Sequence, residues 1–456
     1  MKYQKEIHEY LKVHQEEMLN ILSKLIEIRS VQGDPEENAP FGAEPKRALQ
    51  LMLDFCEEYG FQIDNVDNYA GSADLNQKVP ELGILAHLDV VPEGDGWTYH
   101  PYQLTYDAET DKLYGRGTSD DKGPAAAALF AMRAVKELNI PMKSGVRLIF
   151  GTNEENGSED LEYYMKHREL PKMVFTPDGD YPVITLEKGM MRLKLSAEFE
   201  DKHILEFKSG DVINAVPSKA TALVQGIPEV EIQKYIQKYS GVKFAVQAEG
   251  EAVRIFAEGK SAHASTPEQG FNALTATAEL LADLIGNTAL RRLSSCCPYG
   301  EIHGESYGIN AQDELSGSLT LVCSVIDMND KGFTAYHDIR FPVCCDSSEI
   351  IRKIREKLEF IQLEVILCDE PHHTDEHSEF VQTLLNIYEK TTGLKGECLA
   401  IGGGTYVHHI KGGVAFGATF PDTDVHMHGA DEFIKLSHLM LDAEMMALAM
   451  TELCGE

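Results

Sequence analysis

Three short apolar runs in the first two-fifths of the chain end on a histidine or lead directly into carboxylates, which restricts the folds open to it. Leu82–His87 continues into Leu88-Asp89. Val146–Gly151 continues into Thr152-Asn153-Glu154-Glu155, and Met173–Thr176 into Pro177-Asp178-Gly179. Runs of this kind, bounded by polar and turn residues, read as buried strands. Helical patterns lie between and before them. Residues 4–29 carry a core stripe of Leu11, Met18, Leu22, Leu25 and Ile26, and residues 44–59 repeat the spacing. The Ala-rich segment from Pro124 to Leu138 places proline in a first helical turn, where it fits. Strands alternating with helices predict an α/β fold with a mostly parallel sheet flanked by helices. Sites in such sheets form at the carboxyl ends of strands, where His87, Glu154, Glu155 and Asp178 fall.

At 456 residues the chain is too long for a single core. Near residue 188 the pattern changes to alternating strands, such as Arg192–Ala197 and Ser318–Ser324. Two helical segments, near 272–287 and 347–359, interrupt them. From about 380 the helical and Gly-rich patterns return, ending in a helix from about Leu436 to Thr451. The expected organisation is a discontinuous catalytic domain, 1–187 and 380–456, with an α+β lid domain, 188–379, inserted in it.

A net charge of −33 argues against nucleic acid as a partner, because phosphates call for basic surface. The acid excess reads as a solvated surface. The nine cysteines are odd in number and form no C-x-x-C pattern, which predicts reduced thiols in a cytoplasmic protein. The opening Met1–Glu6 has no apolar signal core, and no apolar run approaches the roughly 20 residues of a membrane span.

The chemistry lies in five segments. In His87-Leu88-Asp89 an imidazole is followed at the same-face spacing by an acid able to orient it. Asp120-Asp121 and Glu154-Glu155 are adjacent acid pairs. In extended chain their members face opposite ways, so one acid is free to ligate metal while the other meets substrate as a general base. Asp121 is also suited simply to start the following helix. Asp178 sits in a turn, and Asp424–Glu432 supplies His426 and His428 as competing ligands. Mixed nitrogen and oxygen donors with an acid left over suit a two-metal hydrolase. The implied cofactors are two divalent ions, zinc first, with manganese or cobalt as alternatives. The segment Pro371–His377 also resembles a metal cluster but is expected to be an exposed hinge.

With these motifs the chain resembles the metallopeptidase family of aminoacylases, carboxypeptidase G and succinyl-diaminopimelate desuccinylase. It is most similar to that family's bacterial dipeptidase V branch, which also resembles carnosinases. The matching stretches are His87-Leu88-Asp89, Gly115–Pro124, Gly151–Glu155, Thr176-Pro177-Asp178 and His428, with Asp121-Lys122-Gly123-Pro124 pointing to the dipeptidase branch. The resemblance implies that Asp120 bridges two metals, His87 and Asp178 completing one and Glu155 and His428 the other. It makes Glu154 the general base and Asp89 the partner of His87. An Asp at position 178 goes, in this family, with peptidases acting at a free amino end.

In the insert, Asp211–Pro217, Gly259–Ser265 and Asp338–Pro342 resemble lid segments of the branch, and Gly402–Thr405 its Gly-rich substrate loop. By analogy Asn214, Arg340 and Gly403 hold substrate and His263 donates to the oxyanion. Two departures matter: Val407-His408-His409 after Tyr406 leaves side-chain preference open, and Ala430-Asp431 before Glu432 bears on the ligand choice, where His428 is favoured over His426. The expectation is a cytoplasmic dipeptidase that takes small peptides and is active as a monomer. An aminoacylase or desuccinylase on the same site, and a catalytically silent metal-binding protein, are the alternatives.

Overall fold

The structure, a computed structural model, describes residues 1–456. The chain forms two compact units. One comprises Met1–Leu186, His373–Leu399 and Gly404–Glu456; the other comprises Glu187–His372 with Ala400–Gly403.

The first unit is built on a nine-stranded mixed sheet. Its centre is parallel: Gly145–Gly151, Pro80–His87, Met173–Thr176 and Val414–Ala415 lie side by side in that order. Antiparallel strands flank them, Gln62–Val66 and Ala70–Asp74 on one side and Val183–Glu187 on the other. Alternate residues of the central strands enter opposite layers, as the two-residue strand period requires. Leu82, Ile84, Leu148 and Phe150 join the core formed with helices Gln4–Val13, Gln15–Ile26, Ala43–Glu58, Lys122–Glu137, Glu379–Thr392 and Leu436–Cys454. Leu85, Ile149 and Val174 pack on the other face with Leu161, Tyr164, Tyr406 and Ile410. Helix Lys122–Glu137 is buried along almost its whole length, and its alanines allow that close approach.

The pattern over 4–29 resolves into two helices rather than one. The first ends at His14, whose amide still bonds to Tyr10 O while its Nδ1 lies 2.6 Å from Glu17 Oε1. The apolar stripe continues through the break, so spacing alone did not reveal it.

The second unit carries an eight-stranded antiparallel sheet. Its order is Lys243–Glu249, Ala252–Glu258, Lys219–Gln225, Ile204–Ser209, Thr320–Asn329, Gly332–Phe341, Gly189–Glu198 and Gln362–Asp369. Gly189–Glu198 alternates buried and half-buried residues along nearly all its length. Three longer helices interrupt the strands rather than two: Ala273–Ile285, Thr288–Cys296 and Ser347–Leu358. Gly286 in a left-handed conformation ends the expected segment, and the side-chain cap of Asn287 begins the unanticipated helix just beyond it. No helix is long and apolar enough to cross a membrane.

One buried acid in the first unit makes stability depend on pH. Asp442 is fully buried on helix Leu436–Cys454 and accepts a hydrogen bond from the Tyr181 hydroxyl. Burial pushes its pKa up to about 8, against the opposing effect of that bond. The folded state therefore holds a proton that the unfolded chain releases above its ordinary carboxylate range. This group's contribution to stability falls as pH rises from about 4 towards 8, by at most about 1.4 kcal/mol per pH unit. Asp442→Asn keeps an acceptor for Tyr181 and cannot ionise. Its stability relative to the parent protein should rise steadily between pH 5 and pH 8 in urea unfolding. A difference independent of pH would contradict this account.

Candidate metal centre

The parallel strands deliver their terminal residues to one place in the first unit. His87 ends its strand, Glu154 and Glu155 open the 3-10 turn after Gly145–Gly151, and Asp178 follows Met173–Thr176. Asp120 arrives just ahead of helix Lys122–Glu137, and His428 comes from a late loop. His87 Nε2 lies 2.8 Å from Asp120 Oδ1 and 3.6 Å from Asp178 Oδ2. His428 Nε2 lies 2.9 Å from Asp120 Oδ2 and 3.2 Å from Glu155 Oε2. Each oxygen of Asp120 thus faces a different imidazole. Two overlapping groups, His87–Glu154–Asp178 and His87–Asp120–Glu155, bring their ligand atoms within 4.8 Å of one another. Glu154 lies close enough to His87 and Asp178 that distance alone does not separate a base from a ligand.

The electrostatics call for positive charge. Burial, with repulsion from neighbouring acids, pushes Glu154 well above the usual carboxylate range, Glu155 to about 7, and Asp178 upward. Burial also favours the neutral form of Asp120, yet hydrogen bonds from His428 and His87 hold it below its ordinary value. The His428 side chain is half-exposed; what burial it has opposes its charge, but Asp120 and Glu155 carry its pKa to about 11. His87 is raised well above its ordinary value by bonds to Asp120, Asp178 and Asp89 that outweigh its burial. Glu155 Oε1 is buried without a hydrogen-bond partner. An orphaned oxygen among crowded carboxylates and two imidazoles is a donor set that suits divalent cations.

Around this cluster, further carboxylates hold the backbone. Asp121 does not cap its helix; its Oδ2 accepts from the His87 amide at 3.0 Å. Asp89 binds the amides of Glu154 and Glu155, each at 3.2 Å. The His87 Nδ1 contact to Asp89 is made mainly by the backbone carbonyl, at 3.0 Å against 3.5 Å for the carboxylate. The expected pairing of imidazole and carboxylate is therefore secondary here. The Glu154–Glu155 pair lies in a turn and not in extended chain, because those two amides are gathered by one acid. Glu432 Oε1 accepts from the amides of Gly117 and Ser119 at 3.0 Å and of Asp120 at 3.3 Å. Its Oε2 pairs with Arg116 Nη1 at 2.5 Å. Arg116 continues to Gly429 O at 3.2 Å, joining the loops of Asp120 and His428.

His426 is exposed, with its ring against the edge of Phe433, and lies outside the cluster. The segment Pro371–His377 departs from its expected exposure. His372 is buried and forms a short strand with His373, while His377 is exposed, and these histidines contribute to neither metal-suited group. In the second unit, Ala215 pairs with His263, and Asn214 O accepts from Ala264 N at 2.9 Å. His263 Nδ1 lies 2.7 Å from Ser265 Oγ. A Cβ on Gly402, the neighbour of Gly403, would sit 2.5 Å from Ser265 Cβ. Arg340 is buried; its Nε bonds to Asp338 Oδ1 at 2.5 Å and its Nη1 to Gly402 O at 2.8 Å. These four candidate substrate residues therefore belong to one connected set. Sequence reasoning missed the backbone roles of Asp121, Glu432 and Asp160. Nothing local in the sequence marks those roles.

A family model for peptidase family M20/M25/M40 matches residues 83–452. The putative dipeptidase YtjP of Bacillus subtilis (strain 168) is 33% identical over 96% of this chain and 97% of its own length. The Beta-Ala-Xaa dipeptidase of Lactobacillus delbrueckii subsp. lactis is 34% identical over 96% of each chain. Human carnosine dipeptidase 1 shares the fold, with a TM-score of 0.62 at 16% identity, covering 99% of this chain and 98% of that one. Sequence match and fold agree: the chain belongs to peptidase family M20/M25/M40 and is a metallopeptidase.

Proposed function

We propose that this protein is a two-metal dipeptidase acting on dipeptides with a free amino end. The observation that carries the reading is the Asp120 carboxylate, each of whose oxygens faces a separate imidazole while Glu155 and Asp178 close the two sides. His87, Asp120 and Asp178 would hold one ion and Asp120, Glu155 and His428 the other, with zinc favoured over manganese or cobalt. When bound, the ions supply Lewis acidity towards water and the scissile carbonyl. Glu154 takes a proton from the attacking water and returns it to the leaving amine. Asp89 fixes the turn from which Glu154 and Glu155 project.

His263 donates a hydrogen bond to the tetrahedral oxyanion. Asn214, Arg340 and Gly403 hold the substrate's carboxylate and backbone. Support for a dipeptide substrate comes from the two full-length relatives above, both named as dipeptidases. Support for a free amino end comes from Asp178, through the family resemblance. The cytoplasm is the proposed location, from the cysteine usage.

The enzyme is proposed to act as a monomer. The inserted segment runs for about 190 residues, roughly twice what one small α+β lid needs. Its sheet divides into two four-strand halves that meet where Ile204–Ser209 pairs with Thr320–Asn329. One half would do the work of a partner's lid.

Glu154→Ala should lower kcat by about 10²–10⁴-fold while metal analysis still finds both ions. Loss of about one equivalent would mean that Glu154 and Glu155 have exchanged roles. Dipeptides should be cleaved far more efficiently than pentapeptides or N-acyl amino acids in kcat/KM assays; comparable values for a pentapeptide would refute the dipeptidase assignment, and preference for N-acyl substrates would favour an acylase. Mixing Glu154→Ala chains with His263→Ala chains should recover no activity. Recovery would mean that His263 acts across subunits.

A further inference from the structure

The amides on either side of the boundary between Asn153 and Glu154 are all bound by buried carboxylates. Asp89 takes those of Glu154 and Glu155. Asp160 Oδ2 takes the two before them, Thr152 at 2.6 Å and Asn153 at 2.8 Å. The same oxygen accepts a hydrogen bond from the Tyr406 hydroxyl, and Asp160 Oδ1 accepts from its neighbour's amide, Leu161, at 2.7 Å. Asp160 and Tyr406 are both fully buried. Tyr406 also sets its ring edge-on to His87, with centroids 6.2 Å apart and planes at 82°. One tyrosine therefore touches both the carboxylate holding the glutamate turn and an imidazole of the cluster.

Gly151 supports this interpretation independently. A Cβ there would lie 1.8 Å from the Tyr406 hydroxyl and 2.4 Å from Asp160 Oδ2. The space a side chain would fill at the strand end is taken by the tyrosine and the acid. Glycine at this position is the steric counterpart of that pair.

We propose that Asp160 and Tyr406 are positioning residues that fix the turn carrying Glu154 and Glu155. This rests on the assignment of Glu154 as base and Glu155 as ligand. Neither residue meets substrate; they act by holding the amides of Thr152 and Asn153, so that the next two side chains leave the backbone in one direction. Tyr406→Phe removes a single hydroxyl and leaves the packing, so it isolates the contact. Misplacement of a reacting group by about 1 Å costs on the order of 100-fold in rate, and partial loosening costs less.

The test uses the full chain with Tyr406→Phe and Asp160→Asn. Tyr164→Phe serves as a control for loss of a buried hydroxyl on the same helix, Glu159–His167. With metal content matched to the parent protein, kcat for a dipeptide should fall by about 10–100-fold in both variants and KM by no more than a few-fold in either direction. The control should keep the parent kcat. In metal-free protein, hydrogen exchange at the amides of residues 152–155 should speed up by at least about tenfold in Tyr406→Phe, while strand Pro80–His87 keeps its protection. A merely structural contact would lower the melting temperature and leave kcat of the folded enzyme unchanged. Unchanged kcat in Tyr406→Phe, or unchanged exchange at 152–155, overturns the proposal. Should a variant bind less metal, the metal-free exchange measurement decides alone. If Glu154→Ala keeps its turnover, the base assignment fails, whereas the exchange result still judges the clamp.

Discussion

The capture of backbone amides by buried carboxylates is the interaction on which the rest of the site depends. Asp121 holds the amide of His87, Glu432 that of Asp120, Asp89 those of Glu154 and Glu155, and Asp160 those of Thr152 and Asn153. His87, Asp120, Glu154 and Glu155 are thus each gripped at their own amide, whereas the Asp178 amide donates to Thr176 Oγ1 at 3.3 Å. A hydrogen bond contributes about 0.5–1.5 kcal/mol net, and more where the acceptor is charged. Such bonds also give these amides partners at the strand ends, where sheet pairing stops. The loops are therefore fixed by the backbone, and the side chains inherit that precision.

The arrangement divides the acids into two groups by what they face. The outer acids face N–H donors, and Glu432 in addition meets the Arg116 guanidinium, yet burial still raises Asp121, Asp160 and Glu432. The inner acids, Asp120, Glu154, Glu155 and Asp178, meet each other and two imidazoles. Burial and mutual repulsion raise three of these four, and the imidazoles are raised in turn by the acids they touch. Out of water, so much like charge must be met by cations or by protons on the acids themselves.

Much of the framework was legible because it obeys simple periods. The buried strands before His87, Glu154 and Asp178 are short apolar runs, and a parallel sheet must bring such ends to one edge. What was illegible depends on contacts between residues far apart in the chain. Asp160 and Tyr406 are separated by 246 positions, and nothing local marks either one. Glu432 reads as an ordinary loop acid until Gly117, Ser119 and Asp120 fold against it. The break at His14 was hidden by an unbroken apolar stripe, and the burial of His372 by a local pattern rich in histidine and acid. The turn at Glu154 was read as extended because the rule for adjacent side chains assumes a strand, whereas Asp89 draws both amides to one side.

The stretch Asp120-Asp121-Lys122-Gly123-Pro124 shows how closely local and long-range demands can be merged. Asp120 faces two imidazoles, and Asp121 turns back to the His87 amide. Lys122 is buried and donates to Leu25 O at 2.9 Å and Ile28 O at 2.7 Å, where helix Gln15–Ile26 runs out of internal donors. Burial pulls its pKa down to about 7, against attraction from Glu432 and Asp89. Gly123 passes so near Thr118 that a Cβ would lie 2.0 Å from its carbonyl oxygen. Pro124 then occupies the first turn of a helix that needs no amide there. Each residue answers to a different neighbour, so substitution at any one of them is felt in a separate part of the unit. That explains why a motif of five residues says so much about a chain of 456.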